Sequence, residues 1–212
     1  MATKTSKKTP RWERRAQARP EEIVAAALEL FVERGYAHTR LEEVARRAGV
    51  SKGTLYLYFA NKEKLFEAVI GKAVGSHIAE MKELIGRYRG SSKELLHEIF
   101  ALWWERVASR PAAGIPKLII GESGNFPEIA RAYVQQVINP GLAVFRAVAE
   151  RGMRSGEFRQ MDPVHAVVLI NAPLLFSLLW RSTLAKFSPL PKLDLPALLR
   201  EHVETVCKGF AP

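Results

Sequence analysis

Three residues, Gly49-Val50-Ser51, constrain the fold of this chain more than any other stretch. Glycine tolerates the left-handed backbone that ends a helix, and serine is a preferred N-cap that starts one. Apolar residues recur at helical spacing before and after these positions. One helix must therefore end and the next begin within a single tight turn, which predicts a helix-turn-helix.

Other helix boundaries lie close to this turn. Pro20 is typical of the first turn of a helix, and Gly35 is typical of a helix end. Thr39 and Glu42 have the spacing of a capping box, so we expect the second helix to begin at Thr39. Asn61 is placed to cap a fourth helix.

The helix after Ser51 has two distinct faces on a wheel of about 100° per residue. Leu55 and Phe59, four positions apart, share one face and are expected to pack on the first two helices. The opposite face consists of Gly53, Thr54 and Leu57, flanked by Tyr56 and Tyr58. Small, apolar and hydroxyl-bearing side chains suit a DNA groove better than they suit solvent.

A recognition helix enters the major groove with its N-terminal residues nearest the bases. Thr54 can donate or accept a hydrogen bond, and Leu57 can meet a thymine methyl group. The tyrosine hydroxyls, Lys52 and the Ser51 cap suit phosphates, which position a protein without reading sequence. An alternative for Tyr58 is an aromatic residue at the edge of the core whose hydroxyl reaches water.

Charge is distributed unevenly along the chain, which has a net charge of +10. Residues 1–19 carry +6, residues 20–64 are neutral and residues 65–212 carry +4. We expect residues 1–19 to form a disordered basic tail attracted to a polyanion. A solvated tail that only aids solubility is the alternative.

Composition favours a protein of the cytoplasm. The apolar run from Ala166 to Trp180 is shorter than the roughly 18 residues of a membrane span and is interpreted as a buried helix. No secretory signal is visible at the N-terminus. The single cysteine, Cys207, excludes an internal disulfide and fits a reducing compartment.

The run "IVAAALELFVERGYAHTRLEEVARRAGVSKGTLYLYFANKEKLFEAVI", residues 23–70, closely resembles the DNA-binding domain of the tetracycline-repressor (TetR) family. The resemblance implies an all-α homodimer that usually represses transcription. It also implies a helix-turn-helix domain over residues 20–66 and a variable effector-binding and dimerisation domain over 67–212.

Carried over by position, the DNA contacts of the family fall on Thr39 or Arg40, Ser51, Lys52, Gly53, Thr54, Tyr56, Leu57, Tyr58 and Lys62. Of the first pair we favour Arg40. Family members commonly have a combination of Tyr and His where this chain has Leu57 and Tyr58, so Leu57 removes a polar contact. Arg46 and Arg47 are either phosphate contacts or solvated charges.

Beyond residue 66 the chain shows further helix patterns, about nine helices in total. We predict helices over 61–88, 92–109, 113–122, 127–155, 163–186 and 196–209. The resemblance implies that the last two helices form the homodimer interface. Their apolar residues exceed the needs of a monomer and include Val164, Val167, Val168, Leu175, Leu178, Leu179, Leu198, Leu199, Val203 and Val206.

The resemblance also implies a small-molecule effector among the C-terminal helices, and an aromatic and aliphatic lining suggests an apolar one. Candidate lining residues are Met81, His97, Phe100, Trp103, Trp104, Phe126, Tyr133, Gln136, Phe145 and Asn171, each of which can instead be ordinary core. Trp103 and Trp104 are adjacent, so they cannot both face one centre. Pro140 and Pro173 should kink a helix or mark a loop.

Catalytic residues, a metal site and a cofactor are not expected. "GESGN" at 121–125 lacks the spacing and the preceding strand of a serine-hydrolase elbow. Asp162 and His165 have no second ligand pair, and Asp162 before Pro163 fits a helix cap. The alternative function is a DNA-binding regulator whose C-terminal bundle binds a protein partner instead of a small effector.

Overall fold

The computed structural model describes residues 11–189 and 193–212, and within them all regular structure is helical. The α-helices are α1 Arg11–Arg34, α2 Leu41–Arg47, α3 Lys52–Tyr58, α4 Lys62–Ile70, α5 Ser76–Arg87, α6 Ser92–Trp103, α7 Ile115–Glu122, α8 Pro127–Tyr133, α9 Asn139–Ser155, α10 Pro163–Ser182 and α11 Leu195–Phe210. π-Helical turns over Gly71–Gly75, Trp104–Ala108 and Val134–Ile138 continue α4, α6 and α8, so the described part forms nine helical runs. The predicted all-α class is confirmed.

The chain divides into two compact units: the first ends at Val69 and the second begins at Ile70. In the first unit, an aromatic cluster of Phe31, Tyr36 and Phe66 holds the helices together, with ring centroids 5.4–5.6 Å apart. All three side chains are buried. Gly35 takes the predicted left-handed conformation, with φ of 88°, where α1 ends and the chain turns.

Two predicted helix starts in this unit were wrong. α1 begins at Arg11, so Pro20 lies inside it, and residues 11–19 are helical where a disordered tail was expected. Good helix formers fill the segment before Pro20, and their propensity offsets the one backbone hydrogen bond that an internal proline removes. Residues 1–10 lie outside the described ranges. α2 begins after Arg40, and its N-cap makes no side-chain hydrogen bond.

In the second unit α9 packs against α5, α6 and α10, and α11 packs against α6 and α10. Its core includes Leu95, Ile99, Val148 and Ile170, each at most 1% exposed. The helix predicted over 127–155 contains the π-turn Val134–Ile138 immediately before Pro140. Pro140 has no backbone N–H to donate. The N–H of the preceding residue, Asn139, donates to the Val134 carbonyl five residues earlier, which is the spacing of a π-helix.

Candidate DNA-binding surface and ligand cavities

The start of α3 is held by its N-cap. Gly49 has φ of 66°, which releases the chain from α2. The Ser51 Oγ then accepts a hydrogen bond from the Thr54 N–H at 3.0 Å and lies 2.9 Å from the Thr54 hydroxyl. Leu55 is fully buried and anchors the helix from below. The predicted cap is therefore confirmed, and it fixes which side of α3 faces outward.

The outward face of α3 is the one that the helical wheel predicted. Leu57 is 84% exposed, and Tyr56 and Tyr58 on its flanks are 43% and 40% exposed. A Cβ added to Gly53 would meet only the Ser51 Oγ, at 3.8 Å, so the fold does not demand glycine there. Phe59 departs from the prediction. It is the extended C-cap of α3 and only half-buried, because the helix has ended before it.

Lys52 is held by a carboxylate across the turn. Its ammonium lies 2.5 Å from Glu42 Oε1. The hydrogen bond between them lowers the pKa of the Glu42 carboxyl and raises the pKa of Lys52. Lys52 is charged on the exposed side of the helix-turn-helix, and its ammonium has further N–H donors with which it can reach a phosphate.

Thr39 and Lys62, both predicted DNA contacts, make hydrogen bonds to the turn between α1 and α2. Thr39 is 1% exposed, and its hydroxyl donates to the Gly35 carbonyl at 2.7 Å. The predicted contact through its side chain is therefore contradicted. The Lys62 ammonium donates to the carbonyls of Tyr36, Ala37 and Thr39 at 2.8, 3.3 and 3.3 Å. It also lies 4.5 Å from the centre of the Tyr36 ring.

The remaining cations near α2 divide into paired and unpaired groups. Arg47 forms ion pairs with Glu29 and Glu33, both at 3.3 Å. Arg40 and Arg46 are exposed and make no ion pair with another described residue. Arg40, at the N-cap of α2, is thus the better placed of the predicted pair Thr39 and Arg40 to reach a phosphate.

The second unit contains an apolar cavity of about 110 Å³ between α5, α6, α7, α8, α9 and α10. Five of the predicted lining residues meet there: Met81, Trp103, Tyr133, Phe145 and Asn171. Val74, His77 and Ile78 also line the cavity and were not among the predicted residues, although they share one helical face with Met81 by spacing. Burial raises the pKa of Tyr133 to about 12, so its hydroxyl remains a hydrogen-bond donor at neutral pH.

The other five predicted lining residues are not part of this cavity. His97, Phe100 and Trp104 line a separate cleft of about 330 Å³ between α6 and α11. The Gln136 side chain lies beside Gly71, whose added Cβ would meet its Oε1 at 3.2 Å. Phe126 is the half-buried N-cap of α8 and lines neither space. Trp103 thus lines the cavity and the adjacent Trp104 lines the cleft, because neighbouring residues of a helix point about 100° apart.

α10 has one buried and one exposed apolar face. Val167 and Leu178 are buried within the chain, whereas Val164, Val168 and Leu175 are exposed and lie within about 40° of one another around the helix. By length and apolar composition α10 could cross a membrane, with a third of its most apolar stretch buried. The helix predicted to be buried thus packs on the unit through one face only.

The structure gives neither "GESGN" at 121–125 nor the pair Asp162 and His165 the geometry of an enzyme site. Asp162 Oδ1 accepts from the Val164 N–H at 2.8 Å as the predicted cap of α10. Ser123 lies at the C-terminal end of α7 and not after a strand. Among the described residues, no three His, Cys, Asp or Glu side chains come together as a metal site.

Two family models match the chain, one in each unit. Residues 23–69 match the model of bacterial regulatory proteins of the tetR family, and residues 89–186 match the tetracyclin repressor-like C-terminal domain. The fatty acid metabolism regulator protein of Bacillus subtilis (strain 168) is 26% identical over 197 residues, covering 92% of this chain and 97% of the relative. RutR of Escherichia coli (strain K12) is 26% identical over 216 residues, covering 93% and 88%.

Solved structures show the same fold. The fatty acid degradation regulator FadR of Bacillus halodurans has a TM-score of 0.74 at 21% identity, and the match covers 90% of this chain and 98% of that one. FadR of Bacillus subtilis in complex with stearoyl-CoA has a TM-score of 0.71 at 23% identity, with the same coverage. The family models, the full-length relatives and the helix-turn-helix geometry agree, and the chain is a transcriptional regulator of the TetR family.

Proposed function

We propose that the protein is a dimeric repressor that binds a palindromic DNA operator through α3 and is released by an apolar small molecule. The exposed face of α3 carries this proposal. Leu57 is 84% exposed beside Gly53 and Thr54, although an apolar side chain gains nothing from water. A thymine methyl group in the major groove is a suitable partner for it.

The remaining contacts are assigned by position. Thr54 reads a base edge, whereas Ser51, Lys52, Arg40 and the hydroxyls of Tyr56 and Tyr58 bind phosphates. Lys62, the last of the predicted contacts, donates to three backbone carbonyls, and we assign it a positioning role beside this surface. The basic residues 1–19 add long-range attraction to the duplex, because residues 20–64 carry no net charge.

Dimerisation is proposed to occur through α10 and α11. The exposed apolar stripe of Val164, Val168 and Leu175 is the kind of surface that a second copy covers. A two-fold dimer presents two copies of α3, so its half-sites lie about one helical turn of DNA apart, roughly 34–36 Å, or a multiple. Such a regulator works in the cytoplasm, and coverage by a second copy explains the apolar face of α10 without a membrane.

The proposed effector occupies the cavity between α5 and α10. Its walls are mainly aliphatic and aromatic, with His77 and Asn171 among the few polar residues. Because two of the relatives concern fatty acid metabolism and one was solved with stearoyl-CoA, a fatty-acyl compound is the first ligand to test. The cavity of about 110 Å³ is smaller than the roughly 300–1,000 Å³ of typical ligand sites.

A cavity this small connects ligand binding to regulation. A larger ligand can enter only when the lining helices move apart, so it selects a different conformation of the second unit. If that conformation binds operator less well, effector and DNA must weaken each other by the same factor.

Operator release tests the proposal directly. An operator is selected from random duplex DNA with the full-length protein, and its affinity is measured by fluorescence anisotropy at a fixed salt concentration. Stearoyl-CoA should weaken binding by at least about five-fold, the lower end of typical coupling, whereas free CoA should not. Failure to select any palindromic site would refute the DNA-binding proposal, and selection without release would refute only the acyl effector.

A protein partner for the second unit is the competing function. An exposed apolar patch favours it, and α10 has one. The apolar cavity, however, favours a small effector, since a helical unit that only binds proteins gains nothing from an internal space. We therefore assign the α10 face to the second copy of the chain.

A further inference from the structure

The cleft between α6 and α11 is separate from the effector cavity. Phe100 of α6 and Trp104 of the π-turn that continues it form one wall, and Leu199 and Pro196 of α11 form the other. Its volume of about 330 Å³ falls within the range of small-molecule sites, roughly 300–1,000 Å³. By size it is therefore a better preformed ligand site than the effector cavity.

The two helices run antiparallel along this cleft. Lys93 and His97 of α6 both contact Glu204 of α11, at 2.8 and 3.2 Å, and the Phe100 and His202 rings are 5.9 Å apart. These contacts join α6 to α11 along one side of the cleft. The contacts with Glu204 occupy His97 Nε2 and both oxygens of the Glu204 carboxylate, so none of these atoms is available as the main ligand contact.

Opposite charges lie on opposite walls. Glu98 of α6 and Arg200 of α11 both line the cleft and are exposed. Neither forms an ion pair or a hydrogen bond with another residue in the described part of the chain. The lining thus combines an apolar, aromatic interior with one unpaired carboxylate and one unpaired guanidinium.

We propose that this cleft binds a free amino acid with an apolar side chain. The α-carboxylate pairs with the Arg200 guanidinium, which is well suited to a bidentate contact, and the α-ammonium pairs with Glu98. The side chain lies against Phe100, Trp104 and Leu199, where it replaces water. A simple aromatic acid would leave Glu98 facing a like charge, and a simple amine would leave Arg200 facing one.

Occupation of the cleft can reach the effector cavity through the rings between them. The Phe100 ring contacts the Phe145 ring edge to face, with centroids 5.9 Å apart. Phe100 lines the cleft and Phe145 lines the cavity. The inference does not depend on the acyl effector, because the cleft has its own lining and its own charges.

Calorimetric titration of the full-length protein tests the assignment with three matched compounds. These are L-phenylalanine, 3-phenylpropionate, which lacks the ammonium group, and phenethylamine, which lacks the carboxylate. L-Phenylalanine should bind once per chain, and each analogue should bind at least about ten-fold more weakly, as expected when a charge-assisted contact is lost. Equal binding of L-phenylalanine and 3-phenylpropionate, or no binding of L-phenylalanine at millimolar concentration, would overturn the proposal.

Two charge-neutralising variants locate the site. Arg200→Gln should weaken L-phenylalanine by about ten-fold or more without changing phenethylamine. Glu98→Gln should weaken L-phenylalanine and strengthen 3-phenylpropionate, because it removes a like charge. Arg131→Gln, an exposed arginine on α8, is the matched control and should change nothing. If L-phenylalanine binds equally well to all three variants, it binds elsewhere and the assignment fails.

Discussion

Lys62 and Thr39 support the turn beside the proposed DNA-binding face of α3 and are not part of that face. Lys62 donates to three carbonyls that follow the end of α1, and Thr39 donates to a fourth group in the same turn. Both are polar residues at positions where the family resemblance implies DNA contacts. At the scale of single residues, burial and hydrogen-bond partners separate a positioning role from a contact.

Lys62→Met should therefore destabilise the protein more than it weakens DNA contacts. Loss of three charge-assisted hydrogen bonds to partly solvated carbonyls should lower the free energy of unfolding by about 1–3 kcal/mol. Operator affinity should fall with it, but the slope of log affinity against log salt should not change, since no phosphate contact is lost. A slope reduced by about one at unchanged thermal stability would instead identify Lys62 as a phosphate contact.

Cys207 should be unreactive at neutral pH. Burial raises the pKa of its thiol to about 11, so the thiolate needed for alkylation is scarce. Iodoacetamide should label the native protein far more slowly than the chain in guanidinium, with the native rate rising as the pH approaches 11. Because the pKa is raised on folding, the thiol stabilises the fold below about pH 8.5, and this stabilisation is lost as the pH rises towards 11. Rapid native labelling at pH 7 would contradict this.

Helices in this chain differ in how tightly their faces are filled. α9 lies at the centre of the second unit, and Gly152 is buried where the Phe158 ring packs onto it. α3 is the opposite case, since one apolar anchor holds it and the remaining side chains face outward. A substitution should therefore affect stability in α9 and DNA binding in α3.

Gly152→Ala should be strongly destabilising. The new Cβ would lie 2.1–2.7 Å from three atoms of the Phe158 ring, which itself packs against Phe210 at 5.6 Å. Overpacking of this kind costs about 1–3 kcal/mol. Gly86→Ala in α5 is the control: its Cβ would meet nothing within 4 Å, and removing a helical glycine should add about 0.5–1 kcal/mol. Urea unfolding of both variants measures the difference, and equal stabilities would contradict the packing.

Leu57→Ala should change base preference with little effect on stability. A side chain 84% exposed contributes little to the fold, so the free energy of unfolding should stay within about 0.5 kcal/mol. Loss of an apolar contact with thymine should lower operator affinity only for sites with that base. Tyr56→Phe is the comparison and should weaken all sequences alike. Selection of the same operator by Leu57→Ala and the natural protein would remove Leu57 from base readout.

The whole molecule combines an internal cavity, a separate cleft and an exposed apolar stripe. The stripe on α10 is unfavourable in water and becomes favourable once a second copy covers it. The dimer that we propose would be symmetric, because a two-fold interface brings the same patch of both copies together. The palindromic operator that we propose is the counterpart of this symmetry in the DNA.

Val168→Glu should disrupt the dimer. A carboxylate at the centre of the exposed stripe, repeated on both copies, would place like charges in a desolvated interface. Sedimentation velocity should show monomers at concentrations where the natural chain is dimeric, with operator affinity reduced at least about ten-fold. Lys117→Glu, at an exposed position on α7, is the control and should remain dimeric. A dimer that tolerates Val168→Glu would require a different interface.

Residue patterns along the chain were enough to predict the helical class, the turn at Gly49, the Ser51, Asn61 and Asp162 caps and the outward face of α3. These features depend on residues a few positions apart, whose geometry a helix fixes. The three-dimensional structure was needed to show that Thr39 is buried, that Lys62 donates to backbone carbonyls, and which of the two spaces Trp103 and Trp104 each line. It also decided that α1 continues back through Pro20. Those outcomes depend on groups brought together from distant positions, and on a balance between local propensity and one lost hydrogen bond, neither of which spacing along the chain can express.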